Sequence, residues 1–299
     1  MPEEPAENIS GGPDGGGREL EKRDDDGTVD GAVDVEGGPD GVTSRETTTD
    51  AEPTTDAEPT TRAEAVIDAL GDIYWRKAYG GQDGFECLVR TILSQNTSDV
   101  ASQPAHDALM NRYGPASGLA ERVADADHEE LAETIASAGL YNRKSTVIRD
   151  AAAWVLDEFG STAGFDEYVV EGDPAEVRET LLSVSGVGPK TADCVLLFAG
   201  GRGGVFPVDT HVHRIARRMG LAPPDADHEA VREAIEAAVP PEKCGFGHTA
   251  TIQFGREYCT ARGPACLDGP EACPLYDLCD RVGIDEIEGT VVDPADVGN

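Results

Sequence analysis

The run VSGVGPKTADCVLLFAGGRGGVFPVDTHVHRIARRMG, residues 184–220, decides how the rest of the chain is read. A tight turn, Gly186-Val187-Gly188, feeds Pro189 and Lys190 at the head of an apolar helical run, and Asp209 opens a second helix further on. Glycine supplies backbone angles that a turn entering a helix needs and that other residues resist. Pro189 suits the first helical position, where its missing N–H costs nothing. The unpaired amides at that helix start point outward and can hold a phosphate. Taken alone, the turn is equally a plain loop between two helices, so its neighbours matter.

The chain carries 58 acidic and 24 basic residues, yet residues 186–220 hold five basic ones (Lys190, Arg202, Arg214, Arg217, Arg218) against Asp193 and Asp209. A positive island on a negative protein is what a nucleic-acid contact surface would look like; a solvated helix face balanced elsewhere is the alternative. Lysine is scarce, 5 residues against 19 arginines. Arginine keeps its proton, whereas lysine can act as a neutral nucleophile and form a Schiff base. A helix N-terminus and partial burial both favour the uncharged amine. Lys190 and Asp209 at two helix mouths, beside amides fit for a phosphate, point to lyase chemistry on DNA.

A length of 299 residues leaves room for more than one core. No apolar run approaches the ~20 residues of a membrane span, and the N-terminus has no signal-peptide pattern. A cytoplasmic location is expected. The net charge of −34, with abundant Asp and Glu and few lysines, fits a protein working in concentrated salt; an ordinary acidic protein is the alternative.

Residues 1–61 are rich in Gly, Pro, Thr and acids, and TTDAEP occurs twice in succession at 48–59. Such a segment cannot bury enough apolar surface to offset its chain entropy, so a disordered acidic tail is expected. Order begins at Thr61-Arg62-Ala63-Glu64, a capping-box pattern. Asp83 opens a second helix that ends in Ser94-Gln95-Asn96-Thr97-Ser98-Asp99, a polar helix end with Asp99 placed to cap the next helix. Further helices start near Asp127 and at Asp173-Pro174, and Gly139-Leu140-Tyr141-Asn142-Arg143-Lys144 links two of them. Leu140, apolar on a polar and basic loop, fits a stacking wedge or a seal on a helix C-terminus. No run of alternating strands occurs, and the fold class is all-α.

Four of seven cysteines crowd into Cys259, Cys266, Cys273 and Cys279, spaced C-x6-C-x6-C-x5-C. That crowding suits a metal site in a reducing compartment better than a disulfide scaffold. Structural zinc usually uses a C-x2-C or C-x4-C knuckle, which is missing. Cys87, Cys194 and Cys244 read as small buried side chains.

The runs VSGVGPKTADCV and VDTHVHRIARRMG are similar to the helix-hairpin-helix and catalytic-aspartate segment of the endonuclease III family of DNA glycosylases. The resemblance covers roughly residues 62–282. It implies a six-helix module over 82–204 ending in the hairpin, and a discontinuous iron–sulfur module made of 62–81 plus 205–282. DNA would lie in the cleft between them, with 283–299 left as a C-terminal tail. Lys190 would be the Schiff-base nucleophile and Asp209 the carboxylate that assists it. Asn96, with Gln95 beside it, would fill the gap left by a nucleotide swung out of the duplex, and Leu140 would wedge into the stack. Asn142, Arg143, Lys144, Gly186, Val187, Gly188, His211 and Arg214 would complete the DNA contacts. The family's C-x6-C-x2-C-x5-C pattern holds a [4Fe–4S] cluster, so the four cysteines here would ligate one, with four extra residues in the middle gap. The implied partner is double-stranded DNA with damaged bases or abasic sites, bound by a monomer.

The implied activity is removal of oxidised pyrimidines followed by strand cutting 3′ to the abasic site. Three other readings stay on the table. One is a mismatch thymine or uracil glycosylase on the same scaffold, which generally lacks the lysine. A second is an adenine–mismatch glycosylase, whose extra C-terminal domain has no room after Cys279. The third is a non-catalytic iron–sulfur protein that binds DNA and senses redox state.

Overall fold

The computed structural model describes residues 59–297; the acidic tail expected over 1–61 lies outside them except for its last three residues. Helix α1 (Arg62–Ile73) starts where the capping box placed it. The Thr61 hydroxyl accepts from the Glu64 N–H at 3.0 Å, and the Glu64 carboxylate accepts from the Thr60 N–H at 2.8 Å. Its stripe of Val66, Ile67 and Leu70 is fully buried.

Eight helices follow around one apolar core: α2 (Gly84–Ser94), α3 (Asp99–Tyr113), α4 (Leu119–Ala124), α5 (His128–Thr134), α6 (Tyr141–Phe159), α7 (Thr162–Glu171), α8 (Pro174–Leu182) and α9 (Pro189–Phe198). The resemblance implied six over this stretch; α5 opens at Asp127 as expected, whereas α4 is only 6 residues long and leaves little periodicity to read. Ser98, not Asp99, is the N-cap of α3. A T-shaped ring cluster of Trp154, Phe159 and Phe165 packs α6 on α7.

A second core combines α1 with α10 (Thr210–Met219), α11 (His228–Ala238) and α12 (Pro241–Glu257). The buried Lys243 ammonium of α12 reaches both Glu64 at 2.7 Å and Asp68 at 2.8 Å on α1. That ion triad ties together residues 179 positions apart in the chain.

The segment joining α1 to α2 is strapped onto the end of α9. The Gly81 and Gln82 amides donate to the Ala199 and Phe198 carbonyls, both at 3.2 Å. A Cβ on Gly80 would stand 2.7 Å from the Cα of Gly201, so the two backbones meet only because both residues are glycine.

The fold is helical as expected, with one addition. Inside the segment expected as a C-terminal tail, β1 (Ile284–Asp285) pairs antiparallel with β2 (Thr290–Val291). This segment is anchored: the Val282 N–H donates to the Arg218 carbonyl at 2.9 Å, and Asp293 pairs with the buried Arg217. Among the described residues no helix is long and apolar enough to cross a membrane.

Candidate active site

The hairpin between α8 and α9 has the geometry its glycines require. Gly186 lies at φ +86°, and a Cβ there would sit 2.7 Å from the Val147 side chain, so neither conformation nor space admits another residue. Val187 is buried and its N–H is spent on the Val184 carbonyl at 3.0 Å, which pins the turn and removes that amide from any ligand. Gly188 caps α9 with open space where a side chain would be. This leaves room for a phosphate to approach the first amides of the helix.

Lys190, half-buried in the first turn of α9, lines a cavity of about 540 Å³. The cavity takes its walls from both cores: Arg90 and Ser94 of α2, His106 of α3, Cys194 of α9, and His248 and Thr249 of α12. Trp75 and Tyr79, from the strap between α1 and α2, close one side and both bond the Thr249 hydroxyl, at 3.2 and 2.9 Å.

The four described lysines differ in what holds them. Lys243 has two carboxylates, Lys144 has three oxygen acceptors, and Lys77 lies over the Tyr79 ring. Among the described residues Lys190 makes no ion pair, and its hydrogen-bond partner is the Cys194 thiol a turn further along.

Asp209 caps α10, its Oδ1 accepting from the Val212 N–H at 2.8 Å. It is not among the residues lining the cavity, but its charge and that of Lys190 both act on His248 and on Cys194. Burial, with that repulsion from Lys190, pushes the His248 imidazole down to about 4.

The two expected intercalating residues share an unusual backbone. Asn96 (φ +51°) and Leu140 (φ +47°) are both in the left-handed region and both exposed. Non-glycine residues held there cost conformational energy and gather at functional sites. Asn142 and Arg143 also face solvent.

Several expected DNA contacts point inward instead. The buried Lys144 ammonium donates to the Leu93 carbonyl (2.7 Å), the Thr97 hydroxyl (2.7 Å) and the Ala138 carbonyl (2.9 Å), clamping the loops that carry Asn96 and Leu140. Gln95 donates to the Gly186 carbonyl and the Thr191 hydroxyl, both at 3.1 Å, fastening the end of α2 to the hairpin. Arg214 donates to the Cys259 carbonyl at 2.8 Å and to His211 Nδ1 at 3.2 Å, which turns both side chains towards the cysteine loop. The positive island of residues 186–220 is likewise spent internally. Arg202 bonds the Val170 and Gly172 carbonyls, Arg217 pairs with Asp293, and Arg218 bonds the Thr260 and Ala261 carbonyls at 2.6 Å.

Residues 89–241 match the HhH-GPD superfamily of base excision DNA repair proteins. Endonuclease III of Thermotoga maritima is 30% identical over 198 residues, 66% of this chain and 83% of that protein. Endonuclease III of Synechocystis is 32% identical over 198 residues, 66% of this chain and 81% of that protein. A solved structure of a trapped endonuclease III–DNA covalent intermediate has a TM-score of 0.60 at 27% identity, covering 74% of this chain and 96% of that one. The chain belongs to the endonuclease III family. It is a base excision repair DNA glycosylase.

In this endonuclease III-family chain Cys259, Cys266, Cys273 and Cys279 line one cavity with Met219, Phe254, Tyr258 and Leu275. Among the described residues no three side chains converge closely enough for a single metal ion. Four thiols around one apolar hollow, with no histidine or carboxylate among them, instead fit a cluster of several irons, which holds its thiolates further apart. Burial, with the charge of the neighbouring cysteines, pushes the Cys266 and Cys273 thiols up and Cys279 to about 12. The donors present are the right kind: Arg218 Nη1 lies 3.6 Å from Cys259 Sγ, and the Arg281 N–H 3.4 Å from Cys279 Sγ. The extra residues between Cys266 and Cys273 make two one-turn 3₁₀ helices, Ala265–Asp268 and Pro270–Ala272, joined at Gly269 (φ +109°) with open space beside it.

Sequence reasoning missed His248, Trp75 and Thr249. Each stands alone in its stretch, with no spacing to mark it, and only the folded meeting of α12, the strap and α9 brings them to one cavity with Lys190.

Proposed function

We propose that this protein is a bifunctional DNA glycosylase and abasic-site lyase that acts as a monomer on oxidised pyrimidines in double-stranded DNA. The observation that carries this reading is Lys190, a half-buried amine without an ion-pair partner on the wall of a cavity large enough for a base. Leu140 and Asn96 enter the stack at the lesion, and the extruded nucleotide occupies the cavity. Extrusion costs least where pairing is already damaged, which itself favours lesions. The Trp75 and Tyr79 rings offer faces for the base to lie against.

The Lys190 amine attacks the sugar C1′ while the glycosidic bond breaks and the base departs with its electron pair and a proton. Asp209 stabilises the positive charge growing on the sugar and assists the proton transfers. The nitrogen loses a proton and the sugar ring opens, the C1′–O4′ bond breaking and O4′ taking a proton, which leaves a protonated Schiff base between Lys190 and C1′. That linkage acidifies the C2′ proton, whose removal expels the 3′ phosphate by β-elimination. The gripping surface is mainly uncharged, from the hairpin amides and the two loop tips.

Cys259, Cys266, Cys273 and Cys279 would hold a [4Fe–4S] cluster, which when bound supplies a redox-active centre and crosslinks the loop between Cys259 and Cys279. Iron and sulfide content of the purified protein checks this, with four of each per chain expected and loss in Cys273→Ala.

The test of the function is borohydride trapping on a duplex containing an abasic site. The wild type should form a covalent adduct, and Lys190→Gln should not. Equal adduct from both proteins would remove Lys190 from the chemistry and with it the proposed lyase.

A further inference from the structure

His248 sits in the middle of α12, its ring lining the same cavity as Lys190 and only 2% exposed. The Phe198 and Phe206 rings flank it with centroids 6.2 and 6.1 Å away. One ring nitrogen is accounted for, since the imidazole hydrogen-bonds the Pro207 carbonyl. The other, Nδ1, is buried and has no partner. The Pro207 bond therefore falls to Nε2, and a carbonyl only accepts, so Nε2 carries the proton. Nδ1 is left as a bare lone pair.

An unsatisfied acceptor deep in a folded protein calls for an explanation, and a functional partner is one of the few available. Among the charged groups acting on this ring, the Lys190 ammonium on α9 has the largest effect, and Asp209 at the head of α10 the next. Lysine has a flexible four-carbon stem and up to three donors. Among the described residues, Lys190 has no hydrogen-bond partner apart from the Cys194 thiol. A donor met only by a weakly accepting thiol and an acceptor without a donor thus line one cavity.

We infer that His248 is a positioning residue for the nucleophile: its Nδ1 accepts an N–H of the Lys190 amine, which turns the amine lone pair towards the sugar C1′. No proton changes owner in this contact. Burial keeps the imidazole neutral well below the working pH range, so the lone pair stays available. The role rests on the lyase reading given above. It differs from that of Asp209, which bears charge, and from that of the aromatic wall, which faces the base.

The test uses the full-length protein and two substitutions. His248→Asn keeps an acceptor oxygen near the position of Nδ1, whereas His248→Leu keeps the bulk and removes the acceptor. Single-turnover borohydride trapping on an abasic-site duplex reports the amine's attack. Affinity for a duplex with a tetrahydrofuran abasic analogue, which cannot form a Schiff base, reports binding alone. His248→Leu should slow trapping on the order of thirtyfold while binding stays within about twofold, because a misplaced nucleophile loses rate and not affinity. His248→Asn should recover most of the rate. A wild-type rate in His248→Leu, equal defects in both variants, or a binding loss matching the rate loss would each overturn the inference.

Should His248→Leu fail to fold, the wild-type protein still decides through the histidine ring ¹⁵N spectrum. The Nε2-protonated tautomer is expected, with an Nδ1 shift that moves in Lys190→Met; a proton on Nδ1, or no movement, would overturn the inference. Lys190→Gln runs alongside as a control. If it traps like wild type, the lyase reading itself fails; if it is dead and His248→Leu is unimpaired, only the role of His248 fails.

Discussion

The Lys144 ammonium stands 2.7 Å from the carbonyl oxygen of Leu93, and the same nitrogen holds the Ala138 carbonyl at 2.9 Å. Leu93 ends the helix that leads to Asn96, and Ala138 precedes the turn that presents Leu140. One buried cation therefore sets the spacing of the two loop tips expected to enter DNA. Its partners are neutral oxygens, and burial lowers its proton affinity accordingly.

Lys144→Met leaves those two carbonyls without their donor. A loss of about 2–3 kcal/mol of folding stability is expected, the usual penalty for stranding buried acceptors of a charged donor. Urea unfolding measures it. Unchanged stability with weakened DNA affinity would instead return Lys144 to the surface contact role that its loop position first implied.

Leu140→Gly should move stability and activity in opposite directions. The residue is 58% exposed and sits at φ +47°, so little packing is lost and backbone strain is relieved. Stability should hold or rise by up to about 1 kcal/mol, while base excision falls on the order of tenfold as the wedge disappears. Thermal melting and a single-turnover excision assay separate the two. A fall in melting temperature with normal excision would show Leu140 to be a helix seal.

Binding to an abasic-analogue duplex should depend weakly on salt. Each phosphate met by a cation contributes roughly 0.9 to the slope of log affinity against log salt. Lys144, Arg202, Arg214, Arg217 and Arg218 are all engaged with protein oxygens, which leaves Arg143 as the cation among the expected contacts. A slope of about −1 follows, read by fluorescence anisotropy across a salt series. A slope near −6 would mean that a cationic surface elsewhere carries the binding. A weak dependence is also what a protein adapted to concentrated salt requires.

The ion triad of Glu64, Asp68 and Lys243 gives a pH signature. The bond from Lys243, then that from the Thr60 N–H, hold the Glu64 carboxyl down to about 2. Its folded-state value is thus below the ordinary one near 4.3. Its contribution is present above that ordinary value and is lost as pH falls towards 2. The stability gap between wild type and Glu64→Gln should be full at pH 6 and close progressively below pH 4. A gap that stays constant down to pH 3 would assign the effect to packing.

What could be read from the sequence is what depends on near neighbours. The Gly186 turn, Pro189 as the first residue of α9, Asp209 as a cap and the Thr61 box each involve partners within a few residues, so their chemistry is written in short motifs. The internal bonds of the long cationic side chains are not legible in the sequence because their acceptors are main-chain carbonyls tens of residues away. Arg214 meets Cys259 and Arg218 meets Ala261, and no pattern of residue types marks a carbonyl. His248 was invisible for a related reason: its meaning comes from an empty lone pair, which only packing reveals. The cysteine spacing lay between these cases, since the outer gaps resembled the family and the altered middle gap needed coordinates to place the four thiols around one hollow.

The bond between Lys243 and Glu64 spans 179 residues, and that span bears on how the chain is made. At roughly 5–20 residues per second of synthesis, α1 emerges from the ribosome some ten to thirty seconds before α12 exists to cover it. Meanwhile α2 to α9 have all their partners to hand. The half of the molecule built from α2 to α9 is thus free to settle first, and α1 is among the last pieces seated.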